Sequence, residues 1–176
     1  MEILIKKGSL CDEKTDAYIL AFNSHHNNPD KERYEVEQAG ARGVEKFIDL
    51  RLRKQYFKEL LSQGSVIFMD ALGGNATKII CVVCRNSNKD YKLMKASIRE
   101  GMFNIFVHAC RYNVKQIAMV PLCVNDGLDI KDFIEAFNNA KESYLGEHFV
   151  EQITIVVPRD NNRDQNYRIL QEEFAK

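Results

Sequence analysis

A chain of 176 residues, 45% apolar and 28% charged, has the balance of a globular domain and is long enough to bury a sizeable core. Its 25 Lys and Arg offset its 25 Asp and Glu, so no overall field draws it to nucleic acid or an anionic membrane, and nucleic-acid binding would need a local basic patch. Five cysteines without framework spacing fit a reducing, cytoplasmic compartment; the apolar stretch at residues 1–7 is too short for a signal peptide, and no run is long enough to span a bilayer.

Ile3, Leu4 and Ile5 begin a short strand that ends at Gly8, and Ala17–Phe22 is a second, almost wholly apolar strand expected to be covered on both faces. The composition then shifts to a polar, turn-rich loop, Asn23–Asp30. Residues 31–63 read as mainly helical: Val44, Phe47, Ile48, Leu52, Tyr56 and Leu60 recur at helical spacing, and Gly64 is a plausible stop. Ser65–Met69 and Lys78–Cys84 are the third and fourth strands, joined by a turn at Gly73, Gly74 and Asn75. Met94, Ile98, Met102, Ile105 and Ala109 form one stripe of a long helix from residue 91 to about 112. Gln116–Val120 is the fifth strand, followed by a loop from Pro121 to Leu128. Asp129 reads as the N-cap of a helix that carries Ile130, Phe133, Ile134, Phe137 and Ala140. Gln152–Val157 is the last strand, and residues 162–174 close the chain as a short amphipathic helix.

This order is β-β-α-β-β-α-β-α-β-α. Helical crossovers predict largely parallel strands and the direct strand-to-strand steps allow antiparallel pairs, so a mixed sheet is expected. Ligands of open α/β sheets bind beyond the carboxyl ends of the strands. Here the loops after Phe22, Val120 and Val157 gather at that edge.

The order, with one candidate ligand loop after the second strand and another after the fifth, resembles the macro domain over nearly the whole chain. Gly8-Ser9-Leu10-Cys11 stands where that family reads roughly Gly-Asp-Ile-Thr. Asp16-Ala17-Tyr18-Ile19-Leu20-Ala21-Phe22-Asn23 stands for its Asp-Ala-Ile-Val-Asn-Ala-Ala-Asn. Ile117-Ala118-Met119-Val120-Pro121 and then Cys123-Val124-Asn125-Asp126-Gly127 stand for its fifth strand and its Ser-Thr-Gly loop. The departures are specific. Ser9 replaces the family's adenine-contacting Asp, although Asp12 is close by; Leu20 replaces the first Asn, and Asn23 keeps the second. The Gly-Gly-Gly-Val loop is absent: either Ala41-Arg42-Gly43-Val44 occupies its place, or the segment from His26 to Arg33 replaces it and Ala39-Gly40 is the family's later Ala-Gly. The same fold resembles the N-terminal domain of leucyl aminopeptidases, but the chain has no room for the metallopeptidase domain that follows there.

The resemblance implies a single macro-like domain over residues 1–176, with a three-layer α/β/α fold around a mixed sheet of roughly six strands. It implies ADP-ribose or a related nucleotide as ligand. The base would lie near Ser9, Leu10 and Asp12, the diphosphate along Cys123, Val124, Asn125, Asp126 and Gly127, and the distal ribose near Asn23. Two other readings stay open: a ligand-free structural or protein-interaction module with a degenerate pocket, and an ADP-ribose hydrolase, for which Asp30 is the one nearby carboxylate. The loss of glycine favours the module over the hydrolase, and no catalytic residue is assigned.

Each candidate has a plainer reading. Asn23 serves equally as a turn-capping side chain. The Cys123–Gly127 loop serves as an ordinary strand-to-helix turn, and the charge of Asp126 opposes a diphosphate there. Arg159 reaches a phosphate or base, or is solvated. Cys123 lacks an assignable base, so it reads as core or loop filler. Cys81 and Cys84, three apart in a strand, point to opposite faces and read as buried thiols. His25 and His26 have no third ligand at a recognisable spacing and read as a solvated loop. Asp30–Arg33 reads as a solvated helix start. No metal, cofactor or membrane partner is expected.

Overall fold

The computed structural model describes residues 1–23, 62–71, 74–85, 90–144, 150–159 and 164–174. In chain order these form β1 (Glu2–Lys7), a 3-10 turn (Leu10–Asp12), β2 (Thr15–Asn23), β3 (Val66–Asp70), β4 (Ala76–Arg85) and α1 (Tyr91–Arg111). There follow β5 (Gln116–Met119), a second 3-10 turn (Val124–Asp126), α2 (Ile130–Ser143), β6 (Gln152–Val157) and α3 (Asp164–Phe174). Most of the expected helical region 31–63 lies outside the described residues, as do His25 and His26, Asp30, the 30–33 charge run and both candidate glycine segments.

The strands make one six-stranded sheet in the order β1-β6-β5-β2-β4-β3. β3 runs antiparallel to β4 and the other pairs are parallel, so the sheet is mixed as expected. Only one of the two direct steps makes an antiparallel pair. β3 and β4 do; β1 instead lies at the sheet edge beside β6, with β6 and β5 between it and β2. The cause is the path of residues 8–14. Gly8 N–H still donates to Val157 O (3.0 Å). Leu10 then packs against two clusters on the sheet face, one holding Leu20 and Phe22 and the other Tyr18 and Ala118. The Tyr18 hydroxyl donates to Glu13 O at 2.8 Å and Cys11 O at 3.3 Å, and Thr15 N–H donates to Asn75 O at 3.1 Å. The chain thus returns to the amino edge before β2 begins, which forces β2 parallel to β1. Burial pushes the Tyr18 phenol up to about 12, with the negative charges of Cys11, Glu13 and Asp12 adding to it, so it remains a donor at neutral pH.

Alternation in the neighbouring interior strands β2 and β4 makes both faces apolar, as their long hydrophobic runs require. Ala17, Ile19 and Ala21 of β2, with Ile80, Val82 and Cys84 of β4, face one core. Leu20, Phe22, Ile79, Cys81 and Val83 face the other. α1, α2 and α3 all cover the first face. The predicted stripe of α1 is buried from Met94 to Ala109, and Ile130, Phe133, Ile134, Phe137 and Ala140 of α2 are buried against it. Both helices start on a capping Asp: Asp90 accepts from Leu93 N–H at 3.1 Å, and Asp129 accepts from Lys131 N–H at 2.8 Å. α1 sits close to the sheet because Gly101 has no side chain; a Cβ there would lie 2.4 Å from Val82 Cγ1. At the amino edge, Asp16 Oδ2 accepts the backbone N–H groups of Lys115 (2.8 Å) and Gln116 (2.9 Å). Those bonds set the start of β5 beside β2, in the register Ala17 to Ile117. Among the described residues no helix is long and apolar enough to cross a membrane.

Candidate functional site

The parallel strands bring their carboxyl ends to one edge, and β2 ends there between β5 and β4. Its last residue, Asn23, is paired with Arg85 of β4 after a register shift between Phe22 and Asn23. The loop after β5 stands on the other side of β2. Pro121, Leu122 and Cys123 are buried, Val124 and Asp126 are half-buried, and Asn125 and Gly127 are exposed. Two left-handed residues shape the loop: Cys123 at φ 60° and Gly127 at φ 107°. Gly127 is required by that backbone angle, since a Cβ there would meet nothing within 4 Å. Cys123 carries the less common non-glycine version of the same strain. Between them the loop closes on itself. Asp126 and Leu128 N–H donate to Cys123 O at 2.9 and 3.1 Å, and Gly127 N–H donates to Val124 O at 3.2 Å. The loop therefore holds its shape through its own backbone bonds.

Two consecutive residues of β4 tie this loop across the end of β2. Arg85 Nε donates to Asp126 Oδ2 at 2.8 Å. Cys123 Sγ lies 3.1 Å from Cys84 Sγ in a buried thiol contact. The bond to Cys123 and burial push the Cys84 thiol well above the usual thiol range. Cys123 is a buried core residue, as expected, and the sulfur it meets in that core is that of Cys84. The carboxylate of Asp126 is matched by a guanidinium, so its charge alone does not oppose an anion at the loop. Arg85 was not singled out from the sequence. The available signal was a charged residue closing an otherwise apolar strand, at the end where ligands bind in such sheets.

The remaining candidates fall into two other places. Ser9 and Arg159 are exposed and follow the carboxyl ends of β1 and β6, which pair up to Lys7 and Val157. Ser9 Oγ lies 2.8 Å from Cys11 Sγ. Leu10 is half-buried on the sheet face, and Asp12 is exposed on the stretch that descends toward the amino edge. The structure thus groups Asn23 with Cys123–Gly127, groups Ser9 with Arg159, and places Asp12 on the descending stretch. Cys81 and Cys84 face opposite cores, as their spacing predicted. His108 is engaged within α1, its Nδ1 2.9 Å from Asn104 O.

No family model and no curated protein sequence matches the chain. Solved structures do. The Oceanobacillus iheyensis macrodomain with ADP is 18% identical and superposes with a TM-score of 0.78 over 97% of this chain and 88% of its own. A mutant of that macrodomain with ADPR is 16% identical, with a TM-score of 0.71 over 97% and 90%. The Trypanosoma brucei macrodomain in complex with ADP is 13% identical, with a TM-score of 0.65 over 96% and 68%. The element order, the mixed six-stranded sheet and these superpositions together establish that the chain has the macrodomain fold.

Proposed function

We propose that the protein binds ADP-ribose or a related nucleotide at the carboxyl edge of its sheet. The observation that carries this reading is the loop Cys123–Gly127, preshaped by its own hydrogen bonds and fastened across the end of β2 by Arg85 and Cys84. A loop already in its working shape loses little conformational freedom when a ligand arrives. Similar folds hold ADP and ADPR, which supports a nucleotide diphosphate as the ligand class. In this reading the diphosphate lies along Cys123, Val124, Asn125, Asp126 and Gly127, the distal ribose near Asn23, and the base toward Ser9, Leu10 and Asp12, with Arg159 in reach of the same edge. The five cysteines are free thiols, which supports a cytoplasmic location.

Calorimetry of the purified protein with ADP-ribose tests this reading, with Asn23→Ala as the control. Micromolar binding that weakens at least tenfold in the variant is the expected result, equivalent to about 1.4 kcal/mol. No heat at millimolar ligand would overturn it. That outcome would favour a scaffold without a nucleotide ligand.

A further inference from the structure

Cys84 and Cys123 belong to different elements, yet their sulfurs are 3.1 Å apart within the core that the helices cover. The other cysteines are placed differently. Cys81 faces the opposite core, and Cys11 and Cys110 are partly exposed. We propose that Cys84 and Cys123 form an oxidisable dithiol, which a hydroperoxide converts into an intramolecular disulfide that fixes the Cys123–Gly127 loop to the end of β4.

The geometry needs little adjustment. Disulfide sulfurs sit about 2.05 Å apart, so the pair must close by roughly 1 Å. Cys84 lies in β4 at the register shift between Val83 and Arg85, whereas Cys123 opens a loop whose Asn125 and Gly127 reach solvent. A local opening of that loop exposes Cys123 without disturbing the sheet. Attack of the Cys123 sulfur on the hydroperoxide then breaks the O–O bond, releases an alcohol or water, and leaves a sulfenic acid on Cys123. Reclosure returns that sulfur to Cys84. The Cys84 sulfur forms the S–S bond as the S–O bond breaks, and the departing hydroxide takes the Cys84 proton and leaves as water. The two sulfurs are oxidised by two electrons in all, and the peroxide is reduced by two. Because both thiols are buried, the first step is slower than oxidation of an exposed thiol.

The disulfide is independent of any ligand, and so is its test. The full chain is treated with hydrogen peroxide, and its intact mass and peptides are mapped. The expected product has lost about 2 Da, contains a Cys84–Cys123 cross-linked peptide, and is restored by dithiothreitol. Hydrogen exchange at the Asp126, Gly127 and Leu128 amides should slow at least tenfold in the oxidised form. Cys123→Ala and Cys84→Ala should each abolish the cross-link, whereas Cys110→Ser should leave it intact. The peptide map of the unmodified sequence decides the matter even if a variant fails to fold. Oxidation confined to Cys11 and Cys110, a cross-link to another cysteine, or sulfinic acid on Cys123 without a cross-link would overturn the proposal. An unchanged exchange rate in a correctly cross-linked protein would overturn its effect on the loop.

Discussion

The bond from Arg85 to Asp126 joins two charges that water reaches poorly: the side chains are 9% and 20% exposed. In such a setting, removing one partner costs more than the pair itself contributes, because the other charge stays desolvated. Arg85→Met should therefore destabilise the protein by roughly 2–3 kcal/mol, measured by urea unfolding. Arg85→Met combined with Asp126→Asn should recover part of that loss. A double variant no more stable than the single one would show that Asp126 does not depend on Arg85. The second residue-scale test concerns Gly127. Its φ of 107° strains any side chain, although the surrounding space is open. Gly127→Ala should cost about 1–2 kcal/mol from backbone strain alone. Restoring stability by a second mutation among its neighbours is not expected, since no neighbour is in the way. Neither effect was visible in the sequence. Asp126-Gly127 reads there as a turn, and nothing in the letters says that a residue 41 positions earlier supplies the countercharge.

At the scale of elements, the contact between α1 and β4 has a single tight point. Glycine inside a helix costs about 1 kcal/mol relative to alanine, so Gly101→Ala would gain that much if space allowed. Space does not allow it: the new Cβ would sit 2.4 Å from Val82 Cγ1, and Val82 is fully buried with a stiff, branched side chain. Overpacking of this kind costs roughly 1–3 kcal/mol, so the net effect of Gly101→Ala should be destabilising. Val82→Ala alone should also destabilise, by leaving a void. Combining the two should be less harmful than their sum, which unfolding midpoints of the four proteins would show. An additive result would mean that α1 shifts away from the sheet instead. The strands, α1 and α2 were legible because each carries a period that depends only on its own residues. The partner across the gap leaves no such mark. The same limit hid the position of β1. Its apolar run marks a strand, but only the packing of Leu10 and the bonds made by Tyr18 carry residues 8–14 across the sheet, and those depend on a surface that forms later.

Across the whole molecule, α1 and α2 are held together from inside by their apolar stripes and from outside by a polar seam. Asp132 of α2, 8% exposed, accepts bonds from Lys95 Nζ and the Tyr91 hydroxyl of α1, and Glu135 of α2 pairs with Lys95 and Arg99. The sequence shows these residues as ordinary charged positions on two separate helices; only their docking makes them a seam. The seam gives the fold a pH dependence whose sign is fixed. The bonds from Lys95 and then Tyr91 hold the Asp132 carboxyl below its ordinary value, and the bonds from Lys95 and then Arg99 lower Glu135 likewise, though burial opposes the shift in both. A depressed folded-state pKa contributes stability that is present above the unfolded value, about 4 for these carboxylates, and is lost as pH falls through the folded value. The same bonds raise Lys95, so its contribution is present at neutral pH and is lost only as pH rises through its raised value, beyond the ordinary lysine range. Asp132→Asn should therefore lower the melting temperature by roughly 2–6 °C at pH 7. The gap between it and the unmodified protein should narrow as pH falls from about 4 through the lowered folded-state value, below which both carry a neutral group at that position. Thermal melts at pH 7, 4 and 2.5 would show this. A gap that stays constant down to pH 2.5 would mean that Asp132 acts through its shape and packing, and that the seam owes nothing to its charge.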